Sequence, residues 1–158
     1  MTEYEQIMCE MQADFFELSV ERLNCSSRFF ISRFMKSDIV KQLDDVDDPY
    51  NFISPNNLIT SMIMDYPSIN NQTGEKYPPK VMRWIGYTYR AWSLIKKKKS
   101  NRIYELMKAE EMASLYNSFH TFSVEYCIDR LEDIVSEKKS LHRSDYEIFK
   151  AIMLEQKQ

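Results

Sequence analysis

Apolar residues recur along much of the chain at steps of three and four, which places them on one face of an α-helix. The first such segment runs from Tyr4 to about Leu23, with apolar residues at Tyr4, Met8, Met11, Phe15 and Leu18. The pattern predicts an amphipathic helix over this segment.

Serine residues mark the next predicted helix starts. Ser26 and Ser27 can cap a helix that carries phenylalanines and other apolar residues as far as Met35. Ser37 or Asp38 then restarts or continues that helix through Leu43. A further helix is expected from Ser54 and Pro55 to just before Pro67, because serine favours the N-cap and proline the first helical position.

A central helix is predicted to begin at Pro79. Its apolar positions at helical spacing are Val81, Trp84, Ile85, Thr88, Trp92 and Ile95, and we expect these mainly in the core. Lys80, Arg83, Tyr87 and Arg90 occupy its other faces and are expected at the exposed edge of this helix.

Four helix signals follow in the last third of the chain. Ser100 can cap a short helix, and a second short helix is expected around Met112 to Tyr116. Ser123 begins a well-patterned helix that continues to Val135. Ser144 and Glu147 form a capping-box pattern, which predicts a separate final helix.

The composition agrees with an all-α chain. Only two glycines occur, Gly74 and Gly86, whereas an all-β chain of this size would need many more for turns and bulges. The prediction is a compact single-domain bundle over residues 1–158, with about seven helices and its longest loop at about 68–78. Because there is no apolar run of about eighteen residues, no membrane span is expected.

Charge divides the chain at that loop. Residues 1–79 hold 13 acids against 6 bases, and residues 80–158 hold 11 acids against 15 bases. The asymmetry indicates two faces with different partners, or two halves that attract each other, or simply two solvated surfaces of one domain.

No pattern in the chain is typical of catalysis. The three cysteines are widely spaced, and neither His120 nor His142 has a second metal ligand at helical spacing. The two isolated glycines exclude a glycine-rich phosphate loop. We therefore predict no catalytic residue, no metal and no cofactor. His120 could be a site residue, but a structural histidine is the commoner case. The polar, acidic N-terminus and odd cysteine count favour the cytoplasm.

Two charged clusters remain as candidate contacts. The acidic run Asp44, Asp45, Asp47 and Asp48 reads as a solvated loop that could meet a basic partner surface; it lacks the glycine and final glutamate of an EF-hand loop. The basic cluster could bind nucleic acid, although lysines at a helix end also suit the helix dipole; it comprises Lys96, Lys97, Lys98, Lys99 and Arg102.

Two segments carry a resemblance to a known group. The first reads Gly-Tyr-Thr-Tyr-Arg-Ala-Trp over residues 86–92, followed by Ile103 and Tyr104. The second reads Tyr-Asn-Ser-Phe-His-Thr-Phe-Ser over 116–123, with Cys127 before Ile128 where the group has alanine. Together they resemble small helical bacterial proteins with the pattern GYxYRxW, IY, YxxFHT. The resemblance covers about half the chain, roughly Tyr77 to Leu131.

That group is encoded beside ADP-ribosyltransferase-like toxins, so the resemblance implies an antitoxin or accessory role and carries no catalytic residue. We therefore expect a non-catalytic interaction protein that binds and masks a partner toxin. The candidate contacts are the acidic run together with Arg83, Tyr87 and Arg90. A nucleic-acid-binding regulator that uses the basic cluster is the alternative.

Overall fold

The computed structural model describes residues 1–45 and 53–156, and these residues form eight α-helices and one turn of 3-10 helix. The all-α prediction is confirmed, with one helix more than the expected seven. The helices are α1 Glu3–Arg22, α2 Ser27–Met35, α3 Asp38–Asp44, α4 Pro55–Asp65, α5 Pro79–Lys96, α6 Ser100–Leu106, α7 Ala109–Phe119 and α8 Val124–Glu155. The 3-10 turn is Ile69–Asn71.

Three of the predicted serine caps begin helices as expected. The hydroxyls of Ser26, Ser54 and Ser123 accept hydrogen bonds from backbone N–H groups three residues further on, at 3.1 to 3.4 Å. Ser37 does the same for α3, so the second apolar segment is two helices rather than one. These bonds satisfy donors that a helix leaves unpaired in its first turn.

Two serines after α5 that were predicted to cap helices do not do so. Ser100 is the first residue of α6, and its backbone N–H donates to the Asp44 carboxylate at 2.8 Å, so the cap comes from another helix. The expected helix start at Ser144 is wrong, because α8 runs unbroken through it for 32 residues. No glycine or proline interrupts this segment, so nothing prevents the backbone ladder from continuing.

α1 and α5 make the most extensive contact of any two helices, and the core around them includes buried side chains from all eight α-helices. Gly86 makes this approach possible, since a Cβ atom there would lie 2.7 Å from the carbonyl oxygen of Gln12. Next to this crossing, four rings from α1 and α2 pack at centroid distances of 4.9 to 6.2 Å. These rings belong to Phe15, Phe16, Phe30 and Phe34.

The loop at 68–78 is tied to the helices that precede it. The backbone N–H groups of Ser26 and Ser27 donate to the carbonyls of Gln72 and Glu75. Lys76 Nζ donates to two carbonyl oxygens at the end of α1, each at 2.7 Å. This strap therefore fixes the junction of α1 and α2 while leading the chain to α5.

Candidate functional site

The acidic and basic halves of the chain meet along α1 and α5. Arg83 on α5 makes ion pairs with three successive acids on α1, namely Glu10, Asp14 and Glu17. The three carboxylates are held at one guanidinium, which therefore keeps a fixed position. Opposite charges from the two halves of the chain therefore attract each other at this part of the surface.

Arg90 was expected at the exposed edge of α5, and that expectation is wrong. Its side chain is 1% exposed, and Nη1 lies 2.7 Å from the Asp44 carboxylate, whose own side chain is 3% exposed. Its Nε donates to Gln12 at 3.0 Å. Burying this charge requires these partners. As α5 packs against several other helices, a face that looks exposed on the sequence lies in the interior.

The acidic run is therefore not one exposed surface. Asp44 is buried as the partner of Arg90 and the cap of α6. Asp45 is exposed and forms an ion pair with Lys99. Asp47 and Asp48 lie outside the described residues. In this conformation a partner protein cannot reach the Asp44 carboxylate, and contact with the other three stays a prediction.

Acids from elsewhere in the fold face the basic cluster. Lys96 pairs with Asp129 at 3.2 Å and Lys98 with Glu132 at 2.9 Å, both across to α8. Arg102 pairs with Glu105 within α6 at 2.6 Å. Lys97 ends α5 in a left-handed conformation with φ of 51°. These contacts favour the interpretation that the lysines stabilise the C-terminal end of α5. Binding of nucleic acid by this cluster stays a prediction.

An open groove of about 530 Å³ lies where α1, α5, α7 and the start of α8 converge. We call it the aromatic groove, and it is lined by Glu10, Lys80, Arg83, Trp84, Tyr87, Thr88, Tyr116, His120, Phe122, Val124 and Cys127. Two of the predicted contact residues, Arg83 and Tyr87, lie here. Trp84 was assigned to the core but is only half-buried and forms part of the wall.

Ring contacts order the walls of the groove. Trp84 meets Tyr116 edge-on at 5.8 Å, and His120 stacks on Tyr116 at 4.4 Å. His120 Nδ1 lies 2.7 Å from the Tyr116 carbonyl oxygen, so this nitrogen donates and Nε2 points away from the bond. Sequence reasoning noted His120 but could not place it beside Trp84, because the two are brought together only by packing of α5 against α7.

The second unusual surface is the end of α8. We call residues 139–155 the α8 extension, and every residue in it is exposed. Its apolar side chains are 43 to 65% exposed, and they are Leu141, Tyr146, Ile148, Phe149, Ile152, Met153 and Leu154. All but Leu154 share one face, because they recur at helical spacing. The sequence predicted a separate final helix from Ser144 and gave no sign that its apolar side chains are exposed.

This face continues the one that anchors the first half of α8. Ile134 packs against the core, and residues seven and fourteen further on, Leu141 and Ile148, lie above it on the same side. Among the described residues, the last side chain of α8 that bonds to the body is Lys138, which pairs with Glu111 at 2.6 Å and donates to the Leu106 carbonyl. Beyond it, the packing face of α8 has no partner among the described residues.

The cysteines are poorly suited to nucleophilic chemistry. All three are buried. Burial raises the pKa of Cys9 to about 12 and that of Cys127 to about 11, and it also raises the pKa of Cys25. A nucleophilic cysteine needs the opposite shift. Among residues 1–45 and 53–156, no group of His, Cys, Asp and Glu side chains has the geometry of a metal site.

No helix in the described part of the chain is both long and apolar enough to cross a membrane. Comparison with protein-family models, curated proteins and solved structures finds no match to this chain.

Proposed function

We propose that this protein is a non-catalytic interaction module that binds a partner protein through the apolar face of the α8 extension. The exposed face itself is the observation that carries the proposal. Six apolar side chains that are 43 to 65% exposed lie on one side of the α8 extension, and apolar side chains clustered and exposed in this way mark interaction sites.

The α8 extension has the form that a helix-in-groove contact requires. Phe149 and Ile152 stand at the centre of the face, and Leu141 lies more than two turns before Phe149. An amphipathic helix of this kind inserts such anchors into an apolar groove of its partner. Each fully buried anchor contributes about 1.5–3 kcal/mol, so two or three of them can sustain a specific complex.

The borders of the face add a preference for charge. Lys139, Arg143 and Lys150 lie along one border, and these three side chains have no ion pair among the described residues. Carboxylates on the matching rim of a partner's groove would form ion pairs with these three side chains. Complementary charge of this sort selects the partner and speeds association more than it adds affinity.

A matched pair of double variants tests the proposal. Replacing Ile148 and Ile152 with lysine places two charges on the apolar face, whereas replacing Ser136 and Ser140 with lysine places the same charges on the opposite face of α8. Each protein is co-expressed with the product of the neighbouring gene, and co-purification is measured. We expect the first variant to lose the partner and the second to retain it.

Equal retention of the partner by both variants would contradict the proposal. Sedimentation of the isolated protein over a range of concentrations is a second measurement. If the face is covered by another copy of the chain, the wild type will dimerise and the isoleucine variant will not. That outcome would replace the partner protein with a second subunit.

The antitoxin role is the more specific form of this proposal, and the resemblance of residues 77–131 supports it. An antitoxin would restore growth of cells that express the neighbouring gene product, and the same two double variants distinguish docking from other effects. If the wild-type protein neither restores growth nor co-purifies with the neighbouring gene product, the antitoxin role is ruled out.

A further inference from the structure

The aromatic groove is a second binding surface, separate from the α8 extension. Val124 lines the groove at the start of α8, and the extension begins fifteen residues later. At the helical rise per residue, this separation is about 22 Å. A partner bound along the extension therefore leaves the groove open to another part of itself.

Four large aromatic side chains line the groove. They are Trp84, Tyr87, Tyr116 and Phe122, and none of them is fully buried. Phe122 is also part of a row of rings, since it lies 4.9 Å from Tyr126, centroid to centroid. The faces of such rings carry negative potential and attract cations, the guanidinium of arginine in particular.

The charges around the groove favour a positive ligand. Arg83 and Lys80 are the two cations that line the groove. Arg83 pairs with Glu10, which also lines the groove, and with Asp14 and Glu17, which lie outside it, so this cluster of four side chains has a net negative charge. Burial raises the pKa of the Tyr87 hydroxyl, and the nearby Cys9, Glu10 and Glu125 raise it further, which indicates that both carboxylates act on the same wall. Lys80 lies at the exposed rim, where water screens its charge.

We infer that the aromatic groove binds an arginine or lysine side chain presented by the partner protein. The inference rests on the proposed function, because it takes the partner to be a protein, and it adds the chemistry of a second contact. The cationic head lies over the rings with Glu10 beside it, and the aliphatic stem of the side chain covers the apolar part of the wall.

Short peptides test this contact without the partner. The chain has two tryptophans, and Trp92 is fully buried, so a perturbed indole signal in NMR or fluorescence reports on Trp84 in the groove. The probes are tripeptides with a central arginine, citrulline or glutamate. Citrulline has the shape of arginine without its charge. We expect the arginine peptide to shift the Trp84 signal, and the other two to leave it unchanged.

Three substitutions in the groove and one control outside it locate the effect. Glu10→Gln should weaken binding of the arginine peptide several-fold, while Glu21→Gln, the same change on an exposed part of α1 outside the groove, should not. Phe122→Leu should weaken it about two- to five-fold, the value of one exposed cation–π contact. Lys80→Ala should leave binding unchanged or tighten it, because it removes a like charge.

Several outcomes would overturn the inference. Equal shifts from the arginine and citrulline peptides would show that charge is not recognised, and no shift from either would show that the groove is not a site for these groups. Binding of the glutamate peptide that depends on Lys80 would assign the groove to anions. These results are independent of the α8 variants, so the groove can fail while docking on α8 stands, and the reverse also holds.

Discussion

At the scale of single residues, the interior of this protein contains a network of polar contacts centred on Arg90. The Asp44 carboxylate receives Nη1 of Arg90 and both the N–H and the hydroxyl of Ser100. Gln12 accepts from Arg90 and donates to the Gly86 carbonyl at 3.0 Å. Four helices, α1, α3, α5 and α6, thus share one buried set of bonds. Among the described residues, no acceptor faces Arg90 Nη2.

Removing the acid from this network should be costly. Asp44→Ala leaves the guanidinium buried without a counter-charge and takes the cap from α6, so we expect a loss of about 3–5 kcal/mol in the free energy of unfolding. Asp38→Ala is the control, because Asp38 is an exposed acid of the same helix that pairs with Lys41. Urea denaturation measures both. A loss of no more than about 1 kcal/mol for Asp44→Ala, the value of an exposed pair, would contradict the expectation.

The thiols provide a second test at this scale. Because burial raises the pKa of Cys9 to about 12 and of Cys127 to about 11, almost no thiolate exists in the folded protein at pH 8. We expect all three cysteines to resist a disulfide reagent until the chain is denatured, when all three should react. Rapid labelling of any cysteine under native conditions would show that its segment opens.

At the scale of helices, the crossing of α1 and α5 depends on one missing side chain. A Cβ at position 86 would lie 2.8 and 2.9 Å from atoms of the Phe16 side chain as well as against the Gln12 carbonyl. The opposing atoms include backbone, which cannot move without shifting α1. Glycine in a helix interior normally lowers stability by about 1 kcal/mol relative to alanine. At position 86 the close approach of α1 leaves no room for a Cβ atom.

The substitution Gly86→Ala therefore sets two effects against each other. The gain in helix propensity is about 1 kcal/mol, and the overlap with α1 should exceed it, giving a net loss of about 1–3 kcal/mol. Ser136→Ala, in an exposed part of α8, isolates the propensity effect and should leave stability unchanged or slightly higher. Thermal unfolding compares the two. A higher melting temperature for Gly86→Ala would mean that α1 and α5 do not approach as closely as described.

At the scale of the whole molecule, two carboxylates form bonds between α8 and the rest of the fold, one on α8 and one on α7. Burial alone would raise the pKa of Glu132, but bonds from Lys98 and Trp92 hold it below the ordinary value of 4.5. Glu111 on α7 is likewise lowered, against the effect of burial, by Lys138 and by the Lys108 backbone N–H. Both carboxylates connect α8 with the helices beneath it.

These shifts predict how stability depends on pH. Because both pKa values are lower in the folded state, the stabilisation is complete above pH 4.5 and is lost as pH falls through the folded-state values. Glu132→Gln should lower stability at neutral pH and make its decline below pH 4.5 shallower. Glu137→Gln, an exposed acid on the same helix, is the control. Melting temperatures between pH 3 and pH 7 measure this; identical pH profiles for the two variants would contradict it.

The sequence by itself determined the local structure, because the signals for it are local. Helical spacing and serine caps placed the starts of α2, α4 and α8, and the scarcity of glycine indicated an all-α chain. Charge asymmetry was also visible, including the possibility that the halves attract each other. Each of these properties depends on neighbours within a few positions or on composition alone.

Only the tertiary structure decided which sides of the helices meet water. Arg90 is buried where an exposed residue was expected, and Trp84 packs against the core but stays half-buried, since burial depends on how many helices surround α5 and not on its own periodicity. The exposure of the apolar face of the α8 extension could not be predicted, because the helical spacing of apolar residues is the same whether or not a partner helix is present. The body of the fold ends near Lys138, so the extension is exposed and the candidate site lies there.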